Sequence, residues 1–175
     1  EKDFHVSATS FFQVNTKMAE KMIGLLLAKL PVTSETTLLD VYCGVGLFSK
    51  FLAPKCKLVI GIESSESACE DFTINLDEFD NVELYVGPAE EVLPGLAGRL
   101  DSSTYMIVDP PRAGIEKHAL DAIIDIKPHI IAYVSCDPST LARDAARLII
   151  GGYRLVEVTP FDLFPQTYHI ESISI

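Results

Sequence analysis

One thiol in this chain stands where nucleophilic chemistry is possible. Cys136 follows the apolar run Ile130-Ile131-Ala132-Tyr133-Val134 and precedes Asp137-Pro138, a pair that commonly opens a helix. A thiol at a strand's carboxyl end, facing a helix N-terminus, is placed to attack an electrophile. Near the C-terminus, His169-Ile170-Glu171-Ser172 supplies a carboxylate that can take a proton from whatever the thiol has attacked. Cysteine with a separate carboxylate suggests covalent catalysis on an electrophilic ring carbon. The competing readings are a buried inert thiol and a solvated strand residue. The helix dipole favours the thiolate and Asp137 opposes it, so the direction of the thiol's pKa is open.

Two further turns carry polar groups. Asp40-Val41-Tyr42-Cys43-Gly44-Val45-Gly46 follows an apolar strand, and its glycines let a ligand approach the backbone closely. Ser49 stands where a dinucleotide fingerprint has its third glycine, which fits an adenosine ligand without pyrophosphate. Glu63, about twenty residues on, ends the next strand where an acid binds ribose hydroxyls. A tight structural turn is the alternative. In Asp109-Pro110-Pro111-Arg112 two prolines stiffen a strand-end loop and remove two amide donors. Arg112 takes the place of the aromatic that stacks the base in amino-directed methyltransferases, which disfavours an exocyclic amine as acceptor; a surface ion pair is its other reading.

These residues need elements to position them, and helix alternates with short apolar strand almost throughout. Asn15 caps a helix with Met18, Met22, Leu26 and Leu30 on one face, closed by Pro31. Strands are expected over 37–42, 58–63, 82–86, 105–108 and 130–134. Helices are expected over 47–53, 65–79, 116–126 and from Pro138 to Ile150. Strands at 153–159 and 169–175 complete the pattern. Uniformly apolar strands are buried on both faces, which means a parallel sheet covered by helices. The last connection is too short for a helical crossover, so the final two strands pair antiparallel. The reading is an α/β fold: a Rossmann-like, mostly parallel seven-stranded sheet with a C-terminal antiparallel hairpin and helices on both faces, forming one domain over 1–175.

Composition bounds the partners. Hydrophobic residues make up 48% of 175, enough for a sizeable core, and no apolar run reaches the roughly 20 residues of a membrane span. The four cysteines lack C-x-x-C or C-x-x-H spacing, so no metal is expected, and cytosolic thiols are the default, giving a cytoplasmic protein. A net charge of −11 repels phosphate at long range. If the substrate is nucleic acid, a further region upstream must supply most of the affinity. The first residue is Glu1, and the chain reads as a piece of something longer.

Taken together, the segments resemble the uracil-C5 RNA methyltransferase family, whose members make 5-methyluridine in transfer and ribosomal RNA. The resemblance rests on Ser10-Phe11-Phe12-Gln13-Val14-Asn15, the Leu39–Gly46 turn, Gly61-Ile62-Glu63, Asp109–Gly114, Val134–Asp144 and Asp162–Ser172. It implies a class I S-adenosylmethionine-dependent fold with Gln13, Tyr42, Gly44, Gly46, Glu63 and Asp109 toward S-adenosyl-L-methionine. It further implies Cys136 as nucleophile, Glu171 as base, Arg112 toward substrate, and tRNA or rRNA as the partner. Phe11, Phe12, Phe161 and Phe164 are candidates to line the pocket, with the apolar core as the competing reading for most of them. The family usually has Asn where this chain has Asp137, and Pro88 displaces an acid that many members carry after the third strand. The rival readings are a cytosine-C5 methyltransferase, against which stands the lack of a cysteine in Asp109-Pro110-Pro111-Arg112, and a non-catalytic cofactor-binding module.

Overall fold

The computed structural model describes residues 2–13, 15–101, 103–167 and 170–175. Seven strands form one sheet: β1 (Thr37–Val41), β2 (Leu58–Glu63), β3 (Val82–Val86), β4 (Thr104–Val108), β5 (Ile130–Ser135), β6 (Val158–Phe161) and β7 (Glu171–Ser174). Their order is β3-β2-β1-β4-β5-β7-β6. The first five are parallel, and β7 inserts antiparallel between β5 and β6. The expected architecture is present, with the last strand rather than the sixth completing the pairing to β5.

Alternation along the buried strands builds two apolar layers. Leu39, Ile60, Met106 and Tyr133 face α4 (Ala89–Leu96), α5 (Lys117–Ile126) and α6 (Pro138–Ile150). Leu38, Val59, Ile107 and Val134 face α1 (Thr16–Lys29) and α2 (Leu47–Leu52). On this second face α3 (Glu66–Asn75) also packs, with Phe72 lying over Gly61, where an added Cβ would come within 2.7 Å of its ring. Asn15 caps α1 by accepting from the Met18 N–H at 3.2 Å, as its type predicts. No helix among the described residues is long and apolar enough to cross a membrane.

Three expectations change. Helix α3 stops at Asn75 rather than Phe79, because Asp77, Glu78 and Asp80 oppose the negative end of the dipole. Helix α4 was not expected; it forms with Pro94 inside it, held by the burial of Leu93 and Leu96. Strand β6 starts at Val158 instead of Tyr153. The Tyr153 N–H bonds Leu148 O at 3.0 Å and its hydroxyl bonds Pro128 O at 3.0 Å, so residue 153 closes the end of α6. Of the expected final strand, residues 168 and 169 lie outside the described residues.

The topology fixes where the chemistry can sit. Val41 pairs with Ile62 and Val108, and Val108 pairs with Tyr133, so β1, β2, β4 and β5 end at one edge. Because β7 runs the other way, its first residue, Glu171, lies at that same edge, opposite Phe161.

Candidate active site

A cleft of about 1070 Å³ runs along this edge. Gln13, Tyr42, Gly44, Glu63, Asp109, Cys136 and Glu171 all line it. Gly46 and Arg112 do not. Gly46 instead starts α2 with φ +87°, and a Cβ there would stand 2.3 Å from Leu76 Cδ1, so it permits close packing beneath the loop. Arg112 stands outside the lining with Nε 3.9 Å from Asp137 Oδ2. Of the aromatic candidates, Phe11 and Phe12 line the cleft, whereas Phe161 and Phe164 belong to the apolar layer beside α1.

At the β1 end the loop folds onto β2. The Tyr42 and Cys43 N–H groups both bond Ile62 O, at 2.9 and 3.1 Å, with Tyr42 in the left-handed region at φ +62°. Glu63 holds both loops: Oε2 accepts from the Gly44 N–H at 3.0 Å, and Oε1 from the Ser64 and Ser65 N–H groups at 2.8 and 2.7 Å. The space above Gly44, which has φ +53°, is open.

Asp40, which the sequence did not single out, lies beneath this loop with no exposure. Its Oδ2 accepts from the Ser49 N–H at 3.1 Å and the Ser49 hydroxyl at 2.6 Å, while Oδ1 has no partner. Burial lifts its pKa to about 6 against those bonds. The Oε1 of Gln13 is also buried without a partner. The signal for Asp40 was present in the sequence as an acid inside an otherwise apolar strand.

At the β4–β5 end the charges crowd. Burial raises the Asp109 carboxyl well above the usual range, and Glu171 and Asp40 add to it. Burial alone raises Glu171. The half-buried Cys136 thiol is pushed up by burial first and then by Glu171 and Asp109, against a backbone hydrogen bond and Arg112. The opposing acids are therefore the two cleft carboxylates. Asp137 spends its carboxylate capping α6, accepting from the Ser139 and Thr140 N–H groups at 2.8 and 3.2 Å.

The other cysteines are buried, and Cys43 among them lines the β1 end of the cleft, where burial raises its thiol well above the ordinary range. Among the described residues no group of three or more His, Cys, Asp or Glu is arranged to hold a metal ion.

The family model described as tRNA (Uracil-5-)-methyltransferase matches residues 1–174. This chain belongs to that family. It is 42% identical over 173 residues to an uncharacterized RNA methyltransferase of Bacillus cereus, covering 98% of this chain and 38% of that protein. A similarly named protein of Clostridium acetobutylicum is 41% identical, over 99% of this chain and 38% of its own length. The chain thus spans well under half of these curated relatives. Among solved structures, the Pyrococcus abyssi tRNA (uracil-54, C5)-methyltransferase in complex with S-adenosyl-L-homocysteine superposes with a TM-score of 0.83 at 32% identity, covering 99% of this chain and 42% of that one. A precorrin-6y C5,15-methyltransferase of Geobacter metallireducens shares the fold alone, at 17% identity and a TM-score of 0.74.

Proposed function

We propose that this chain is the catalytic domain of an S-adenosyl-L-methionine-dependent enzyme that methylates C5 of a uridine in RNA. The observation that supports it most is the meeting of Cys136 and Glu171, distant in sequence, in the cleft that also holds the Gly44 and Glu63 loops. The family membership and the S-adenosyl-L-homocysteine held by the archaeal neighbour favour the same cofactor.

The residues present fit that cofactor. Open space over Gly44 and the unpaired Oε1 of Gln13, which also lines the cleft, leave room and an acceptor for a hydrogen-bond-donating ligand. A carboxylate has about four lone-pair sites, and three N–H groups use three of those on Glu63, leaving one for a ribose hydroxyl. When bound, S-adenosyl-L-methionine supplies an electrophilic methyl group.

The rest falls to this chain's side chains. Uracil C5 is a weak nucleophile. Addition of the Cys136 sulfur to C6 breaks the C5–C6 double bond and moves its electron pair toward C5 and O4, which makes C5 reactive. Once C5 carries the methyl group, Glu171 removes the C5 proton. That electron pair re-forms the double bond and expels Cys136 as thiolate. The base must leave its stack to reach such a cleft, so single-stranded or loop RNA suits it.

The test is denaturing electrophoresis of the full-length protein with RNA and cofactor. Glu171→Gln is expected to trap a methylated RNA adduct that migrates as a slower band, and Cys136→Ala to give neither band nor product. Normal turnover by Glu171→Gln, or methyl transfer by Cys136→Ala, overturns the assigned roles.

A further inference from the structure

Outside the cleft, one buried acid joins the segments that carry its reactive groups. Asp144, on α6, is 1% exposed. Its Oδ2 accepts from the Ile115 N–H at 2.8 Å and from the Tyr133 hydroxyl at 2.8 Å. Its Oδ1 accepts from Arg143 Nε at 2.8 Å and lies 2.8 Å from the NH2 nitrogen of the same guanidinium. That NH2 nitrogen also donates to Ala113 O at 2.9 Å.

The bonds fall on three elements. Tyr133 lies on β5, three positions before Cys136, and pairs with Val108 of β4 directly before Asp109. Ala113 and Ile115 belong to the loop that begins with Asp109-Pro110-Pro111. Gly114 shows how close the loop comes. At φ +79°, its Cβ would stand 2.6 Å from Asp144 Oδ2 and 2.5 Å from Arg143 NH2.

A carboxylate is a costly filler here. Leu120, Leu148, Ala119 and Ile115 pack around the site in one apolar layer. Apolar residues of similar size often replace buried ion pairs without loss of stability. What an apolar residue lacks is direction, since it accepts no hydrogen bond and selects no register between loop, strand and helix. The geometry points to Asp144 as a positioning residue that locks the 109–115 loop and α6 to β5, and so fixes Asp109 relative to the Cys136 thiol. The lock is a property of the fold, while its use in catalysis rests on the proposed reading of Cys136.

The test compares the unmutated full-length protein with Asp144→Asn and Tyr133→Phe. Two readouts need no RNA: hydrogen exchange over residues 111–116, and alkylation of Cys136 by iodoacetamide, followed by peptide mass spectrometry. Asp144→Asn is expected to quicken loop exchange and change the Cys136 alkylation rate, each by about tenfold, the worth of one charged hydrogen bond. Tyr133→Phe keeps the bonds to Ile115 and Arg143 and is expected to do so less. With RNA and cofactor, Asp144→Asn is expected to lower kcat while leaving KM for RNA nearly unchanged. Loop exchange and alkylation that match the unmutated protein overturn the proposal. If Asp144→Asn does not fold, Tyr133→Phe decides: quickened loop exchange supports the lock, and unchanged exchange overturns it. If both RNA-free readouts respond while the unmutated protein makes no RNA adduct, the lock stands and the uridine-C5 reading fails.

Discussion

At the scale of single residues, the cleft sets acids around the Cys136 thiol, which the proposed chemistry needs ionised. Burial, Glu171 and Asp109 raise the Cys136 pKa, so the thiol is neutral near neutral pH and its thiolate fraction grows as pH rises. Adduct formation with RNA containing 5-fluorouridine is therefore expected to accelerate between about pH 7 and about pH 9, as single-turnover kinetics can read. A flat profile would show the thiolate already formed. Asp40 gives a stability test of opposite character. Its folded pKa of about 6 exceeds the ordinary 3.8, so its contribution to stability is full below the unfolded value and is lost as pH rises through about 6. Above that the buried charge costs about 3 kcal/mol, from a shift of roughly two units. Asp40→Asn is expected to regain part of this, less about 1–2 kcal/mol for an amide without an acceptor. Urea unfolding of the cofactor-free protein at about pH 8 is expected to show the variant the more stable, with the advantage gone near pH 4. A less stable variant at the higher pH rules this out. The places of Cys136, Glu171 and Glu63 along the cleft were legible because each stands at a strand end beside a turn. Arg112 falls outside the cleft lining beside Asp137, a position the sequence does not show, because it does not say on which side of a proline-stiffened loop a side chain falls.

At the scale of elements, the segment before α1 owes its position to α3. Asp71, wholly buried, accepts from the Ser7 N–H at 2.8 Å, the Ser7 hydroxyl at 2.7 Å and His5 Nδ1 at 2.8 Å. Asn75 accepts from the His5 N–H at 2.6 Å and donates to His5 O and Val45 O, both at 2.9 Å. One helix thus holds both the Gly44–Gly46 loop and the segment that brings Phe11, Phe12 and Gln13 to the cleft. Asp71→Ala is expected to weaken cofactor binding by about tenfold and to cost about 1–3 kcal/mol of stability, from donors left unpaired. Calorimetry and urea unfolding read the two effects; unchanged cofactor affinity would separate the segment from the cleft. The bonds hold the Asp71 pKa below its ordinary value. Its contribution is therefore present above about pH 4 and is lost as acid titrates it, so the gap between variant and parent closes at low pH. None of this clasp was legible in the sequence, because Asp71 and Ser7 are joined only once the chain folds. Strands β1, β2, β4 and β5 were legible from their continuous apolar runs. Helix α4 and the start of β6 were not: Pro94 and Gly95 inside α4 blur its signal, and Tyr153, expected in the strand, instead bonds back to Leu148 at the end of α6.

At the scale of the whole molecule, charge and length bear on where RNA would be held under the proposed function. A net −11 opposes approach to a polyanion, although Lys117, Arg143 and Arg147 stand along the cleft. Arg143 and Arg147 are paired with Asp144 and Asp121, at 2.8 and 2.6 Å, which removes much of their attraction for phosphate. The curated relatives carry more than half their length beyond the matched region. Phe11, 73% exposed at the cleft, is the local exception: an aromatic face available to a base. Two results are expected if the cleft performs the chemistry and the remaining length supplies the affinity. Residues 1–175 alone bind S-adenosyl-L-homocysteine but bind RNA weakly, with little dependence on salt, because few phosphates are neutralised. The full-length protein binds RNA tightly with a steep salt slope, and Phe11→Ala in that protein costs about 1–3 kcal/mol of RNA binding without changing the slope, since stacking releases no counterions. Fluorescence anisotropy across a salt series measures both. Tight, steeply salt-dependent RNA binding by residues 1–175 alone would place the phosphate contacts on this acidic domain after all, and the division between affinity and chemistry would fall.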